Sequence, residues 1–319
     1  MILLACVMSS QKPRLNYYRG LLSMEDPDIE QIMDAFLTWV NYVEYLIFRK
    51  ENVYTYEKKY KAVKAAKRGN DVYAWRLGKR LQKMYSLPDI SFFSRKDRSR
   101  RQRTKVLFVT LTYRRDGRLD SAWEDVGKDF NRWISGLRRR YGKIHVLRNW
   151  EAQSDGYPHI HCVLYFQDQE FETFFYNGIW RIIGKVDLSR NWHWGFSDIF
   201  ALSDLGAGVG YVIKYLTKVH TTIVKENYDR ASVLTLAMMW VFKKRAFSVS
   251  GGFEGLVVED EEEESKRYKS QVDLEGKPIF RWVLVGFWAG DLKVWSKELK
   301  HNEFWKIYGS DAFSGNLLL

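Results

Sequence analysis

The stretch Gly156-Tyr157-Pro158-His159-Ile160-His161-Cys162-Val163-Leu164-Tyr165-Phe166 places two histidines one apolar residue apart at the head of a run that reads as a buried strand. Side chains alternate along a strand, so His159 and His161 leave the same face of a sheet, close enough to share one metal ion. The chain has only six histidines in 319 residues. Upstream, residues 151–161 (EAQSDGYPHIH) read as a hairpin with turn signals at Ser154-Asp155-Gly156 and Pro158. With a loop of residues 154–158, Gln153 would face His159 and Glu151 would face His161. Glu151 then offers a third ligand, and a bulge would put Gln153 in its place. Two imidazoles and a carboxylate leave coordination positions open, as a catalytic site requires.

Working outward, residues 106–113 (VLFVTLTY) form a strand by β-branched and aromatic content, with Phe108, Thr110 and Thr112 on one face. Residues 121–140 form an amphipathic helix stopped by Gly142, and 144–151 a further strand. Residues 171–183 read as helical, 196–202 as a short strand, and the glycine-rich 206–210 as the approach to a helix over 211–219. The resulting order β-α-β-β-α-β-α predicts an α+β fold: an antiparallel sheet with helices on one side, ferredoxin-like in character.

The flanks are less specific. Apolar spacing predicts helices across residues 28–85, broken at Gly69-Asn70. Residues 95–105 carry seven positive charges and one negative, either a solvated linker or a phosphate-contacting arm. Beyond 220 a helix is expected over 229–249, an exposed acidic loop at 259–264, a strand at 280–288 and a helix at 295–307. This divides the chain into a helical N-terminal region with a basic linker (1–104), a central domain (105–220) and a C-terminal extension (221–319).

Composition narrows the function classes. With 51 Lys+Arg against 39 Asp+Glu the net charge is +12, which favours polyanions, nucleic acid before anionic membrane. Aromatic residues make up 16% of the chain, suited to base stacking or to core. Cys6 and Cys162 are too few for a disulfide framework or a thiolate zinc site. No segment is long and apolar enough to span a bilayer, so a soluble, cytoplasmic protein with no membrane partner is expected. There is no phosphate-binding loop of the NTPase type.

In Tyr211-Val212-Ile213-Lys214-Tyr215-Leu216-Thr217-Lys218 the two tyrosines lie one helical turn apart, and so do the two lysines. Phenols flanked by ammonium groups suit a phosphoryl-transfer nucleophile, because positive charge favours phenolate and attracts phosphate. A strand ending in FVTLTY, a histidine–hydrophobe–histidine strand and a YVIKYLTK helix, in this order, resemble the three motifs of the HUH endonuclease superfamily, most closely its two-tyrosine rolling-circle replication initiators. The resemblance covers residues 106–218. It implies that His159 and His161, with Glu151, hold one divalent ion against the scissile phosphate of single-stranded DNA. It also implies that Tyr211 or Tyr215 attacks to leave a 5′-phosphotyrosine, that Lys214 assists at the phosphate, and that Thr110, Thr112 and Lys218 contact DNA. Two imidazoles alone lean to zinc, whereas the resemblance implies Mg²⁺ or Mn²⁺. Implied partners are origin DNA, single-stranded or as a hairpin, and a host helicase and polymerase. A transposase or mobilisation relaxase of the same superfamily, and a non-catalytic basic nucleic-acid-binding protein, are the alternatives.

Overall fold

The computed structural model describes residues 15–56, 58–82, 84, 90–115, 117–225, 228–250, 280–289 and 306–307. The chain forms two compact units, one built from residues 1–14, 37–73 and 260–319, the other from 15–36 and 74–259.

The second unit centres on a five-stranded antiparallel sheet. Its strands are β4 (Val106–Tyr113), β5 (Ile144–Ala152), β6 (Pro158–Phe166), β9 (Gly195–Ala201) and β10 (Phe247–Val249), in the order β10-β5-β6-β4-β9. The histidine strand is therefore central, paired on one side with β5 and on the other with β4. Its apolar residues Ile160, Cys162, Val163, Leu164 and Phe166 are fully buried. Burying both faces of a strand needs elements above and below it, and the helices provide them.

Helix α4 (Leu119–Tyr141) packs Trp123, Val126, Phe130, Trp133 and Leu137 inward and ends at Gly142, whose φ of 78° takes the left-handed turn that stops it. It covers the face that carries Tyr113 and Trp150: the Tyr113 hydroxyl donates to Asp129 at 2.8 Å, and Phe130 meets the Trp150 ring edge-on. Helix α6 (Leu205–Thr221) lies on the opposite face, where Tyr211 meets Phe108 and Tyr215 meets His161. The α+β class and the antiparallel sheet agree with expectation, but the helices cover both faces rather than one. The reason is topological. β4 and β5 run parallel on either side of β6, so α4 is a crossover helix whose hand fixes its face. α6 instead leaves the edge strand β9 with its own apolar stripe of Val209, Val212, Ile213 and Leu216.

Helix α6 starts six residues earlier than expected. Asp204 caps it, its carboxylate accepting the Ala207 N–H at 2.6 Å. The glycines at 206–210 are thus its first turns, and Gly208 is where it touches the sheet: a Cβ there would lie 3.2 Å from both Val163 methyls. Helix α7 (Arg230–Val241) is buried from Ser232 through Val241, being apolar all round. It is shorter than the helix expected over 229–249, because Phe247–Val249 pair with Asn149–Leu147 as the edge strand β10.

Two further expectations are corrected. Residues 171–183 form a β-hairpin, β7 (Phe171–Tyr176) and β8 (Ile179–Ile182), not a helix. Its turn is Asn177-Gly178, both at positive φ (47° and 80°), the type I′ geometry that Asn-Gly favours. A short helix, α5 (Lys185–Ser189), follows the hairpin on the way to β9. Strand β3 (Gln102–Thr104) joins β7, so the end of the basic arm is sheet, with Arg101 and Arg103 ion-paired to Glu172.

In the first unit, β1 (Glu44–Asn52) and β2 (Lys58–Lys64) replace the helices expected between residues 43 and 67. β1 pairs with β2 and with β11 (Phe280–Ala289), a partner more than two hundred residues away that local spacing does not reveal. Buried Lys67 is satisfied by Glu44 at 2.9 Å and by the carbonyls of Trp39 and Tyr42. Elsewhere in the N-terminal region helices do form, at α1 (Leu15–Leu22), α2 (Ile29–Asn41) and α3 (Asp71–Gln82). The expected strand at 280–288 is present as β11. The acidic loop and most of the helix expected at 295–307 lie outside the described residues, whose last pair forms β12 (Lys306–Ile307).

Candidate active site

Register sets the site. Across the sheet, Glu151, His159, Thr112 and Phe196 form one row of directly paired residues, and Asn149, His161, Thr110 and Asp198 form the next. Paired residues share a face, so both rows look toward the side that α6 occupies. The hairpin register differs by two residues from expectation: Glu151 faces His159, and Asn149 faces His161. Pro158 enters the strand opposite Ala152, and the loop is 153–157, closed by the Gln153 N–H donating to Tyr157 O and by Gly156 at a φ of 87°. A shift of two keeps every side chain on its face, so Glu151 stays with the histidines. Gln153 sits in the turn rather than opposite His159.

His161 is held at both ring nitrogens. Nδ1 lies 3.2 Å from the Thr110 hydroxyl, and Nε2 lies 3.0 Å from Glu151 Oε2. With Glu151 ionised, the proton belongs on Nε2 and Thr110 donates to Nδ1. Phe108 and Tyr215 stack on either side of the ring, at 5.7 and 5.4 Å between centroids. The His159 ring is 4.5 Å from it. Burial and the neighbouring His161 push the His159 pKa down to about 4, against the pull of Glu151, so this imidazole is neutral at neutral pH.

The two tyrosines meet as the helical spacing anticipates. Their hydroxyls are 2.9 Å apart and their rings 4.8 Å. Burial of the hydroxyl, its bond to Tyr215 and the charge of Glu151 push the Tyr211 phenol up to about 12. Tyr211 as a whole remains 41% exposed, so its ring edge is open to a ligand. Lys214 is exposed on the same helix. Lys218 is exposed too, but its ammonium pairs with Asp229 at 3.0 Å, which raises its pKa. Thr112 donates to the Phe196 carbonyl at 3.3 Å, so it ties β4 to β9.

Whether these residues suit a divalent ion can be judged from the donors. Glu151 Oε1 is buried without a hydrogen-bond partner. The 3.0 Å between His161 Nε2 and Glu151 Oε2 matches the spacing of adjacent ligands about 2.1 Å from an octahedral ion. Among the described residues, no three His, Cys, Asp or Glu side chains already surround one point. Glu151 and His161 thus form a preset pair, with His159 next to them on the same strand. The donor chemistry fits a small oxygen-seeking cation or a transition metal.

Sequence reasoning missed Asn149, buried with its Oδ1 unpartnered on this face, and Phe196 and Asp198 at the far end of the two rows. Strand alternation would have placed all three once β5 and β9 were aligned to β6.

Residues 106–220 match the family model described as Replication-associated protein ORF2, about a third of the chain. The match runs from β4 through α6, spans every residue of the site, and coincides with the segment whose motifs resemble the HUH initiators. It supports a replication-related role and is consistent with a rolling-circle replication protein. No curated protein and no solved structure matches the chain.

Proposed function

We propose that this protein nicks and rejoins single-stranded DNA at a replicon origin, using Tyr211 and Tyr215 as nucleophiles and one divalent ion, to initiate rolling-circle replication of a plasmid or virus. The observation that carries the proposal is the tyrosine pair laid against His161, with the Glu151 carboxylate on the far side of that imidazole. A purely structural reading leaves unexplained why two phenols, two histidines and an orphaned carboxylate oxygen converge on one sheet face.

The chemistry follows from the groups present. A phenol oxygen attacks phosphorus, a phosphorus–O3′ bond breaks, and the departing oxygen takes up a proton to become a free 3′ hydroxyl. The 5′ phosphate stays on the tyrosine. A divalent ion held by Glu151, His161 and His159, Mg²⁺ or Mn²⁺ in function, would supply Lewis acidity at the phosphoryl oxygen. Thr110 would keep the His161 ring oriented by accepting its Nδ1 proton when Nε2 is engaged. A Tyr211 phenol near 12 is a poor nucleophile by itself, so added positive charge, including that of Lys214, is needed to lower it. The second hydroxyl, 2.9 Å from the first, is placed to attack in turn and join the new ends. Single-stranded origin DNA is the direct partner. Helicase and polymerase would act on the strand it releases.

The test is His161→Ala. With Mn²⁺ and single-stranded DNA carrying the replicon origin, this variant should lose cleavage while keeping salt-sensitive DNA binding and its melting temperature. Retained cleavage would overturn the proposed metal role.

A further inference from the structure

Phe196 is 76% exposed, more than any other large apolar side chain of the second unit. It lies on β9, directly paired with Thr112, which is directly paired with His159. The ring therefore rises from the same sheet face as the histidines, two strand spacings away, about 10 Å. No packing requirement explains an exposed phenylalanine there, and exposure has a cost in water.

The surroundings indicate what would cover it. Two residues along the same face of β9, Asp198 is met by Arg181 at 2.5 Å and by Lys185 at 3.4 Å. One carboxylate facing two cations leaves the patch net positive. Arg181 also lies over the Phe200 ring, 5.2 Å from its centroid. An open aromatic face beside a basic strip is the combination that binds single-stranded nucleic acid, with bases stacking on rings and phosphates following the cations.

We infer that Phe196 is a stacking platform for an unpaired base flanking the cleaved phosphate, with Arg181 and Lys185 steering the adjoining backbone. The inference rests on the reading of this face as a DNA-cleaving site. Phe196 would not take part in bond breaking; it would hold the strand in register over His159 and His161. Stacking is tolerant of base identity, so it would grip the strand without choosing its sequence.

The experiment compares two fluorescein-labelled probes of equal length at fixed salt: oligodeoxythymidylate and an abasic deoxyribose-phosphate oligomer. Anisotropy should show that the wild-type protein prefers the probe with bases. Phe196→Ala should weaken the thymidylate probe by about five- to a hundredfold, the range that alanine substitution of a stacking ring produces. It should leave the abasic probe unchanged and so erase the preference, whereas Phe196→Trp should retain it. Equal weakening of both probes, or none of either, would overturn the inference. Melting curves of both variants guard against misfolding, and Phe196→Trp must match wild type for the comparison to stand. The test needs no cleavage. A protein that forms no covalent adduct but keeps the stacking preference would sink the nicking proposal alone, and the reverse result would sink this inference alone.

Discussion

Replacing Gly208 by alanine tests how α6 holds its tyrosines. An added Cβ would meet Leu202 Cδ1 at 2.5 Å and both Val163 methyls at 3.2 Å. The leucine tip can rotate away, but Val163 is β-branched and fixed in the central strand. Ordinary carbon contacts of 3.5–4.0 Å require α6 to retreat by about 0.3–0.8 Å. Overpacking of this kind costs about 1–3 kcal/mol, offset by about 0.8–1 kcal/mol from placing alanine rather than glycine in a helix. The net loss is about 0–2 kcal/mol, or a melting temperature lower by up to about 8 °C for a domain of this size. The kinetic effect should be the clearer one. A 1 Å misplacement can cost about a hundredfold, so half that displacement of Tyr211 and Tyr215 from His161 predicts about a tenfold slower single-turnover cleavage. Gly210, two residues on, is the control: nothing lies within 4 Å of a Cβ there. Gly210→Ala should raise stability by up to about 1 kcal/mol and leave cleavage unchanged. If Gly208→Ala behaves like Gly210→Ala, with a higher melting temperature and full rate, the close approach of α6 to β6 does not position the tyrosines.

Other expectations concern the same scaffold and surface. Asp204→Ala removes the cap of α6 and should lower stability by about 1 kcal/mol in thermal melts. Asp129 is buried beneath Tyr113, and burial raises its carboxyl pKa above the ordinary 3.8. A raised acid binds its proton more tightly in the fold, so stability falls as pH rises through the window above 3.8. Asp129→Asn keeps an acceptor for Tyr113 and should flatten that decline in pH-dependent denaturation curves. Lys218 is engaged by Asp229 whereas Lys214 is exposed, so Lys214→Ala should reduce the salt slope of single-strand binding by about 0.7, and Lys218→Ala should change it little.

Much of the site was legible because its residues are linked by short-range periodicity. Period two on a strand put His159 and His161 on one face, and period 3.6 on a helix put Tyr211 beside Tyr215. Glu151 joined them despite a register misplaced by two residues, since a shift of two preserves the face. Longer-range matters were not legible. Strands β1 and β2 read as helical because their partner β11 lies far along the chain, and Asn149, Phe196 and Asp198 acquired meaning only from cross-strand pairing. The side of the sheet taken by α4 depends on the crossover between β4 and β5, which no single window contains. The β7–β8 hairpin is different: its Asn177-Gly178 signal was present in the sequence, and helical spacing of Phe171, Phe174 and Phe175 obscured it.

The most direct test of the central claim is to identify the residue that becomes joined to DNA. The protein would be incubated with Mn²⁺ and single-stranded DNA carrying the origin of its own replicon, and covalent adducts resolved in denaturing gels and mapped by peptide mass spectrometry. The account predicts a 5′-phosphotyrosine at Tyr211 or Tyr215, an adduct that survives at least one of Tyr211→Phe and Tyr215→Phe, and none in the double variant. An adduct persisting in the folded double variant, or attached elsewhere in the chain, would contradict it.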